Sequence, residues 1–427
     1  MQGEVKGMIS MFRQPVLRPW RPSRFIALMG GLLAVLFALS APVFASAAHA
    51  KATAKKAAVV PPQPASTGAM TTTAREALLI DATTGAILFE KGADERMPPA
   101  SMSKMMTAYL IFQRLKNGQL KLDDTFPVSE NAWRTGGSAS GGSTMFLKLD
   151  DRVSVDDLLR GIIIQSGNDA SIVIAEGLAG SETAFAEQMT KGAHAIGMTS
   201  STFRNATGLP DPEEMTTVRD LATLAKRTIE DFPEYYHYYA EREFVHGGIK
   251  QGNRNPLLYR NIGADGLKTG HTQAAGYCLT ASAKQGDRRL ILVVTGLDSM
   301  QARSDESERL ISYGFREFDN YALYKAGEEV ATGEVWLGKE DTVPIVAGSD
   351  IVVTLPRKVR PEMKVTVAYD QPIPAPIAKG APIAKLVVSA PGVASQEFPL
   401  VAGKDVEEKG FFGRIFAGIG HRIGTLF

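Results

Sequence analysis

Ser101 and Lys104 stand three residues apart in the run Ser101-Met102-Ser103-Lys104, the only Ser-x-x-Lys spacing in the chain of 427 residues. On a helix, that spacing brings both side chains to one face. A serine hydroxyl is a weak nucleophile at neutral pH. It needs a base within hydrogen-bond reach and donors aimed at the oxygen that becomes negative. Lys104 can be that base only if burial or a neighbouring cation depresses its pKa, and Lys268 is the candidate cation. At a helix start, the backbone N–H of Ser101 is free to face a developing oxyanion, and the helix dipole adds to the effect. The chemistry implied is acyl transfer through a serine ester.

Two further elements follow in order. Ser166-Gly167-Asn168 falls between two apolar helical patterns, where a hydroxyl and an amide can face one cleft, and Lys268-Thr269-Gly270 precedes a strand pair. Each triplet alone is common, and Ser-Gly-Asn by itself reads as a turn. The order Ser-x-x-Lys, Ser-x-Asn, Lys-Thr-Gly is the pattern of penicillin-interacting serine enzymes. His271 invites a Ser/His triad, but no Gly-x-Ser-x-Gly elbow exists and Lys104 already fills the base role. The six histidines form no His-Glu-x-x-His spacing, so neither metal nor cofactor is expected.

The elements that must position these groups are readable from periodicity. Glu76–Asp81 and Gly85–Glu90 flank a Thr83-Thr84-Gly85 turn and read as a hairpin, as do Gly276–Ala283 and Arg289–Gly296. Between them, apolar spacing of three and four predicts helices over Ser101–Leu115, Val155–Ile164, Asp169–Leu178, Glu182–Gly197 and Thr217–Glu230, with another over Ala302–Asp319. Strands at both ends with helices between them predict an α+β domain, an antiparallel sheet covered by helices, over residues 74–318. From 319 to 405, short strands separated by Pro and Gly predict a small all-β domain.

The ends carry different signals. Arg13, Arg18, Arg21 and Arg24 precede an uncharged stretch that ends in small residues near Ala50, the pattern of a secretory signal peptide over 1–50. Residues 51–73 are rich in Ala, Lys, Pro and Thr and read as a disordered linker. Over 406–427, Phe412, Ile415, Phe416, Ile419, Ile423 and Leu426 recur at helical spacing away from Arg414, His421 and Arg422, the mark of an amphipathic helix on a membrane surface. Lys plus Arg total 47 against 46 Asp plus Glu, so charge offers nothing to a nucleic-acid partner. The single cysteine, Cys278, excludes an internal disulfide and reads as a packed strand residue.

With Pro99–Thr107, Leu159–Ala170 and Asp265–Thr272 taken together, the chain resembles D-alanyl-D-alanine carboxypeptidases of the penicillin-binding protein 5 type over nearly all of its mature length. The resemblance implies a penicillin-binding/β-lactamase-like transpeptidase fold. It implies that Ser101 is acylated, Lys104 takes its proton, and Ser166 and Asn168 position substrate and relay protons. It further implies that Lys268, Thr269 and Gly270 bind substrate on the leaving-group side, and that the backbone N–H of His271 completes an oxyanion hole. Arg254 and Arg303 would lie close to the terminal carboxylate, a role that suits an arginine fork. The partners so implied are a peptidoglycan pentapeptide, β-lactam antibiotics as covalent inhibitors, and the outer face of the inner membrane in the periplasm. Three other readings use the same motifs. A class A β-lactamase needs a carboxylate base, and no Glu-x-x-Leu-Asn run follows Ser166. A D,D-endopeptidase of the same family remains open, and a catalytically silent peptidoglycan-binding protein conflicts with three intact motifs.

Overall fold

The structure, a computed structural model, describes residues 70–410. The expected signal peptide, most of the linker, and the apolar part of the terminal helix therefore lie outside the described residues. The linker was expected to end at residue 73. Residues 70–73 already lie against the folded unit: Met70 packs on its core and Thr72 O accepts from Lys91 Nζ at 3.3 Å.

The first domain opens with β1 (Ala77–Asp81) and β2 (Ile87–Lys91) and continues through α1 (Lys104–Lys116), β3 (Thr125–Pro127), β4 (Arg152–Ser154) and α2 (Val155–Arg160). Then come α3 (Asn168–Ala179), α4 (Glu182–Ala195), α5 (Val218–Asp231), β5 (Glu243–His246) and β6 (Ile249–Gly252). It closes with β7 (Ala264–Thr272), β8 (Gly276–Gln285), β9 (Arg288–Leu297) and α6 (Met300–Glu317). The main sheet has the order β2-β1-β9-β8-β7, antiparallel throughout, so the first and last strands of this domain meet at the β1–β9 pair.

Both faces of this sheet are covered, and so β8 and β9 are apolar without strict alternation. On one face Leu78, Ile80, Cys278, Ile291 and Val293 join a core with Met105, Phe112, Leu221 and Leu224 from α1 and α5. On the other, Leu79, Leu279, Leu292 and Val294 pack with Leu310 and Ile311 of α6. Cys278 is buried in β8, as its apolar neighbours required. α1 is enclosed on nearly every side, with Phe112 stacked on Tyr235 at 5.4 Å and near Phe232, Tyr238 and Tyr239.

The β domain comprises β10 (Phe318–Tyr324), β11 (Glu329–Trp336), β12 (Thr342–Ala347), β13 (Ile351–Pro356), β14 (Lys364–Ala368), β15 (Ile373–Pro374), β16 (Pro382–Ala390) and β17 (Val393–Ala402). Strands β10 and β13 pair, and the others form a six-stranded sheet in the order β14-β16-β17-β12-β11-β15. Val343, Ile345, Val353, Leu355, Leu386 and Leu400 form its core. At the junction, buried Asp81 accepts from Arg288 Nε at 2.8 Å and Asn320 Nδ2 at 3.2 Å, while Arg288 also donates to Phe318 O.

Because Phe112 lies where α1, α5 and the 235–239 turn converge, Phe112→Ala should lower stability by about 3–5 kcal/mol. Chemical denaturation monitored by circular dichroism measures it; a loss below about 1 kcal/mol would show that this aromatic cluster does not anchor α1.

Candidate active site

The nucleophile candidate sits just before α1 rather than in it. Sequence periodicity predicted a helix from Ser101, but residues Ala100–Ser103 form a 3₁₀ turn and α1 begins at Lys104. The turn is pressed between two backbones. Ala100 has a positive φ of 50°, an uncommon conformation for a residue with a Cβ. Gly208, at φ +76°, passes so close that a Cβ there would lie 1.9 Å from Ala100 O. On the opposite side Gly270 of β7 lets the strand approach, since its Cβ would be 3.2 Å from that of Ala100. Large residues at either glycine would displace Ser101.

Lys104 is fully buried. Its Nζ lies 3.1 Å from Ser101 Oγ and 2.7 Å from Asn168 Oδ1, and it also donates to Thr207 O. All three contacts are neutral oxygens. Two of them can only accept, so a neutral amine spends both hydrogens on Asn168 and Thr207 and turns its lone pair toward the Ser101 hydroxyl. That is the geometry of proton abstraction. Burial pushes Lys104 down from 10.5 to about 7; the Arg254 charge adds to the depression, and Glu214, Asp169 and Glu182 oppose it. The sequence reading named Lys268 as the depressing cation. Arg254 bears on Lys104 as well, while Lys268 is itself held well below its ordinary value, chiefly by burial and then by the charges of Lys104, Arg254 and Arg303. Two buried lysines so close oppose each other's protonation.

Ser166-Gly167-Asn168 lies at a helix junction as expected, though the first helix is short. α2 ends at Arg160, a π-helical turn covers Gly161–Gln165, and Ser166 takes a left-handed φ of 64°. Asn168 opens α3 and contacts Lys104, whereas Ser166 Oγ is buried without a hydrogen-bond partner. Asp169 braces the neighbouring loop, accepting from the N–H groups of Met145 and Leu147 at 3.0 and 3.1 Å.

Lys268-Thr269-Gly270 precedes the β8–β9 hairpin as expected, but it lies in a further strand, β7, which forms the edge of the sheet, opposite Thr280, Leu279 and Cys278 of β8. Lys268 Nζ donates to Thr269 O at 3.2 Å. The His271 imidazole is exposed and lies tilted against the Tyr277 ring with centres 4.0 Å apart, so it is not engaged as a base to Ser101.

Ser101, Ser143, Ser166, Arg254, Thr269, Gly270, His271 and Arg303 line one cleft of about 150 Å³. It holds two arginines and no carboxylate. Arg303 is buried with its Nε unpaired and its guanidinium 5.8 Å from the Tyr277 ring centre. Arg254 donates to Ser143 Oγ. Such a cleft suits a ligand that carries a free carboxylate beside the group to be attacked. Sequence reasoning missed Ser143, whose glycine- and serine-rich loop gave only a weak signal. It also missed Thr207, which acts through its main-chain carbonyl and left no signal at all.

Fold and cleft together fit a serine acyl-transfer enzyme. Residues 62–299 match the D-alanyl-D-alanine carboxypeptidase family of peptidases, and residues 318–408 match the penicillin-binding protein 5 C-terminal domain. The chain is 42% identical over 346 residues to the D-alanyl-D-alanine carboxypeptidase DacC of Escherichia coli K12, covering 80% of this chain and 86% of that one. Its structure is similar to penicillin-binding protein 5 of Haemophilus influenzae, with TM-score 0.74 and 38% identity over 80% of this chain and all of the other. A smaller likeness, TM-score 0.51 and 29% identity over 58% of this chain and all of the other, is to penicillin-binding protein D2 of Listeria monocytogenes in an ampicillin-bound form. The chain belongs to the serine D-alanyl-D-alanine carboxypeptidases of the penicillin-binding protein 5 type.

If the amine of Lys104 accepts the Ser101 proton, it must first be neutral. Its neutral fraction grows as pH rises through about 7. Acylation by a β-lactam should therefore rise about tenfold per pH unit below that point and level off above it. Stopped-flow acylation rates across pH test this, and a profile flat from pH 5 to 9 would contradict it.

Proposed function

We propose that the protein removes the terminal D-alanine from peptidoglycan pentapeptides through an ester on Ser101. Lys104 takes the Ser101 proton as Oγ attacks the carbonyl carbon of the penultimate D-alanine. The backbone N–H groups of Ser101 and His271 receive the oxyanion. As the C–N bond breaks, the proton passes from Lys104 to the leaving amine by way of Ser166, and free D-alanine departs. Water then gives its proton back along the same route, attacks the ester and releases the shortened peptide. Lys268, Thr269 and the guanidinium groups of Arg254 and Arg303 hold the terminal carboxylate on the leaving-group side. Asn168 fixes Lys104 and the substrate amide.

The observation that carries this reading is the buried amine of Lys104, 3.1 Å from Ser101 Oγ with only neutral oxygens around it. A β-lactam presents a strained amide and a carboxylate to the same groups, and so acylates Ser101. Intact-mass spectrometry after penicillin treatment should show one adduct, absent from Ser101→Ala; an adduct that persists in that variant would sink the assignment. Release of D-alanine from a free pentapeptide then separates the carboxypeptidase from a D,D-endopeptidase, which would instead cleave cross-linked dimers.

The same proposal covers the ends of the chain. Residues 1–50 direct export, 51–69 span to the catalytic domain, and the apolar face of 411–427 rests on the outer surface of the inner membrane, where the protein works as a periplasmic enzyme. Support comes from the charge and apolar patterning of those segments. Liposome flotation should carry the full mature chain to the lipid layer and leave a chain lacking 411–427 behind; equal flotation of both would remove the anchor.

A further inference from the structure

The segment between α4 and α5 carries two polar side chains that line no part of the catalytic cleft, yet both reach its machinery. Asn205 is the first. Its Oδ1 accepts from the N–H groups of Thr207, Gly208 and Leu209 at 3.0, 2.7 and 3.2 Å, and from the Thr207 hydroxyl at 2.6 Å. These bonds wind residues 205–209 around one side chain. The Thr207 carbonyl that holds Lys104 belongs to this turn, and so does Gly208, which presses on Ala100.

Glu214 is the second, and it is buried. Its Oε2 accepts from Asn205 Nδ2 at 2.8 Å and from the N–H groups of Arg204 and Asn205 at 3.1 and 3.2 Å. Its Oε1 accepts from Ser103 Oγ at 2.6 Å. Ser103 lies in the 3₁₀ turn between nucleophile and base. One carboxylate thus ties the turn that carries Ser101 to the turn that holds Lys104.

We infer that Asn205 and Glu214 are positioning residues for the proton transfer at Ser101, a clamp that sets the Ser101–Lys104 geometry and brings one carboxylate close behind the pair. The inference rests on Lys104 being the base.

The electrostatics agree. The charges of Arg254 and Lys268 oppose the ammonium form of Lys104, and those of Glu214, Asp169 and Glu182 favour it; of the three carboxylates, Glu214 does most to raise its pKa. Glu214 is itself pushed up to about 7 by burial, against hydrogen bonds from Ser103, Arg204 and Asn205 and the charge of Lys104. The two groups change protonation in the same pH range, so a measured profile belongs to the pair. An ionised Glu214 favours the ammonium form of Lys104, so removal of that charge lets Lys104 lose its proton at lower pH. Glu214→Gln does this with little change of shape: the amide oxygen accepts from Asn205 and the two N–H groups, and the amide nitrogen donates to Ser103 Oγ.

The test is the pH dependence of penicillin acylation, measured on the full chain. In Glu214→Gln the midpoint of the ascending limb should move to lower pH, the two profiles converging well below pH 7 where Glu214 is itself protonated, with the thermal midpoint near that of the unaltered protein. Overlaying profiles would overturn the inference. Asn205→Ala, which frees the Thr207 turn, should slow acylation on the plateau by about a hundredfold; an unchanged rate in folded protein would likewise overturn it. Should Asn205→Ala fail to fold, the Glu214→Gln profile still decides. Lys104→Ala separates the two levels of the argument. A limb surviving there with the same midpoint contradicts the base assignment itself, whereas a limb lost there yet unmoved in Glu214→Gln contradicts only the clamp.

Discussion

The structure depends on keeping a lysine amine dry. Lys104 is enclosed, and the atoms within hydrogen-bond reach of its Nζ are a hydroxyl, an amide oxygen and a peptide carbonyl. An ammonium in such a place loses its hydration and gains no carboxylate in contact, so the protein holds the group near the point where it sheds its proton. Three separate parts of the chain must meet for this: the turn before α1, the start of α3, and the 205–209 loop. Each is immobilised by packing that has no chemical role of its own. Buried α1 sets the height of Lys104, and Asp169 fixes the loop opposite α3. Gly208 and Gly270 let two backbones close on Ala100.

The sheet contributes in a different way. As the free edge of five strands, β7 presents Thr269, Gly270 and His271 to the cleft while its other edge is bonded to β8. A substrate laid along that edge meets unpaired main-chain groups and two arginines without partner carboxylates among the described residues. Specificity for a chain end with a free carboxylate follows from that charge balance. The β domain joins through α6 and the buried Asp81–Arg288 pair of strands β1 and β9.

Much of this was legible in the sequence. Ser101 and Lys104 were readable because acyl transfer needs a nucleophile beside a base, Ser166, Asn168 and the β7 triplet because with them the order matches the pattern of penicillin-interacting serine enzymes, and the two hairpins and α3 to α6 were readable from apolar periodicity. The missed features share a physical cause. Thr207 contributes a carbonyl that any residue could supply. Asn205 and Glu214 act on loop shape and field, through partners over a hundred residues away in the case of Ser103 and Glu214. The depression of Lys104 by burial and by Lys268 was anticipated but the share of Arg254 was not, since the reach of Arg254 depends on how the β5–β6 hairpin folds back on the cleft. Local spacing also could not foresee that close packing tightens the start of α1 into a 3₁₀ turn, or that Gly161–Gln165 widens into a π turn.

The central claim is that Lys104 is a neutral amine at working pH, and the ¹⁵Nζ resonance of that lysine reports its protonation directly. With ¹⁵N-lysine incorporated and the Lys104 signal assigned by its loss in Lys104→Arg, the resonance should titrate with a midpoint near 7. A signal that stays in the ammonium position until pH approaches 10.5, the ordinary lysine value, would contradict the account.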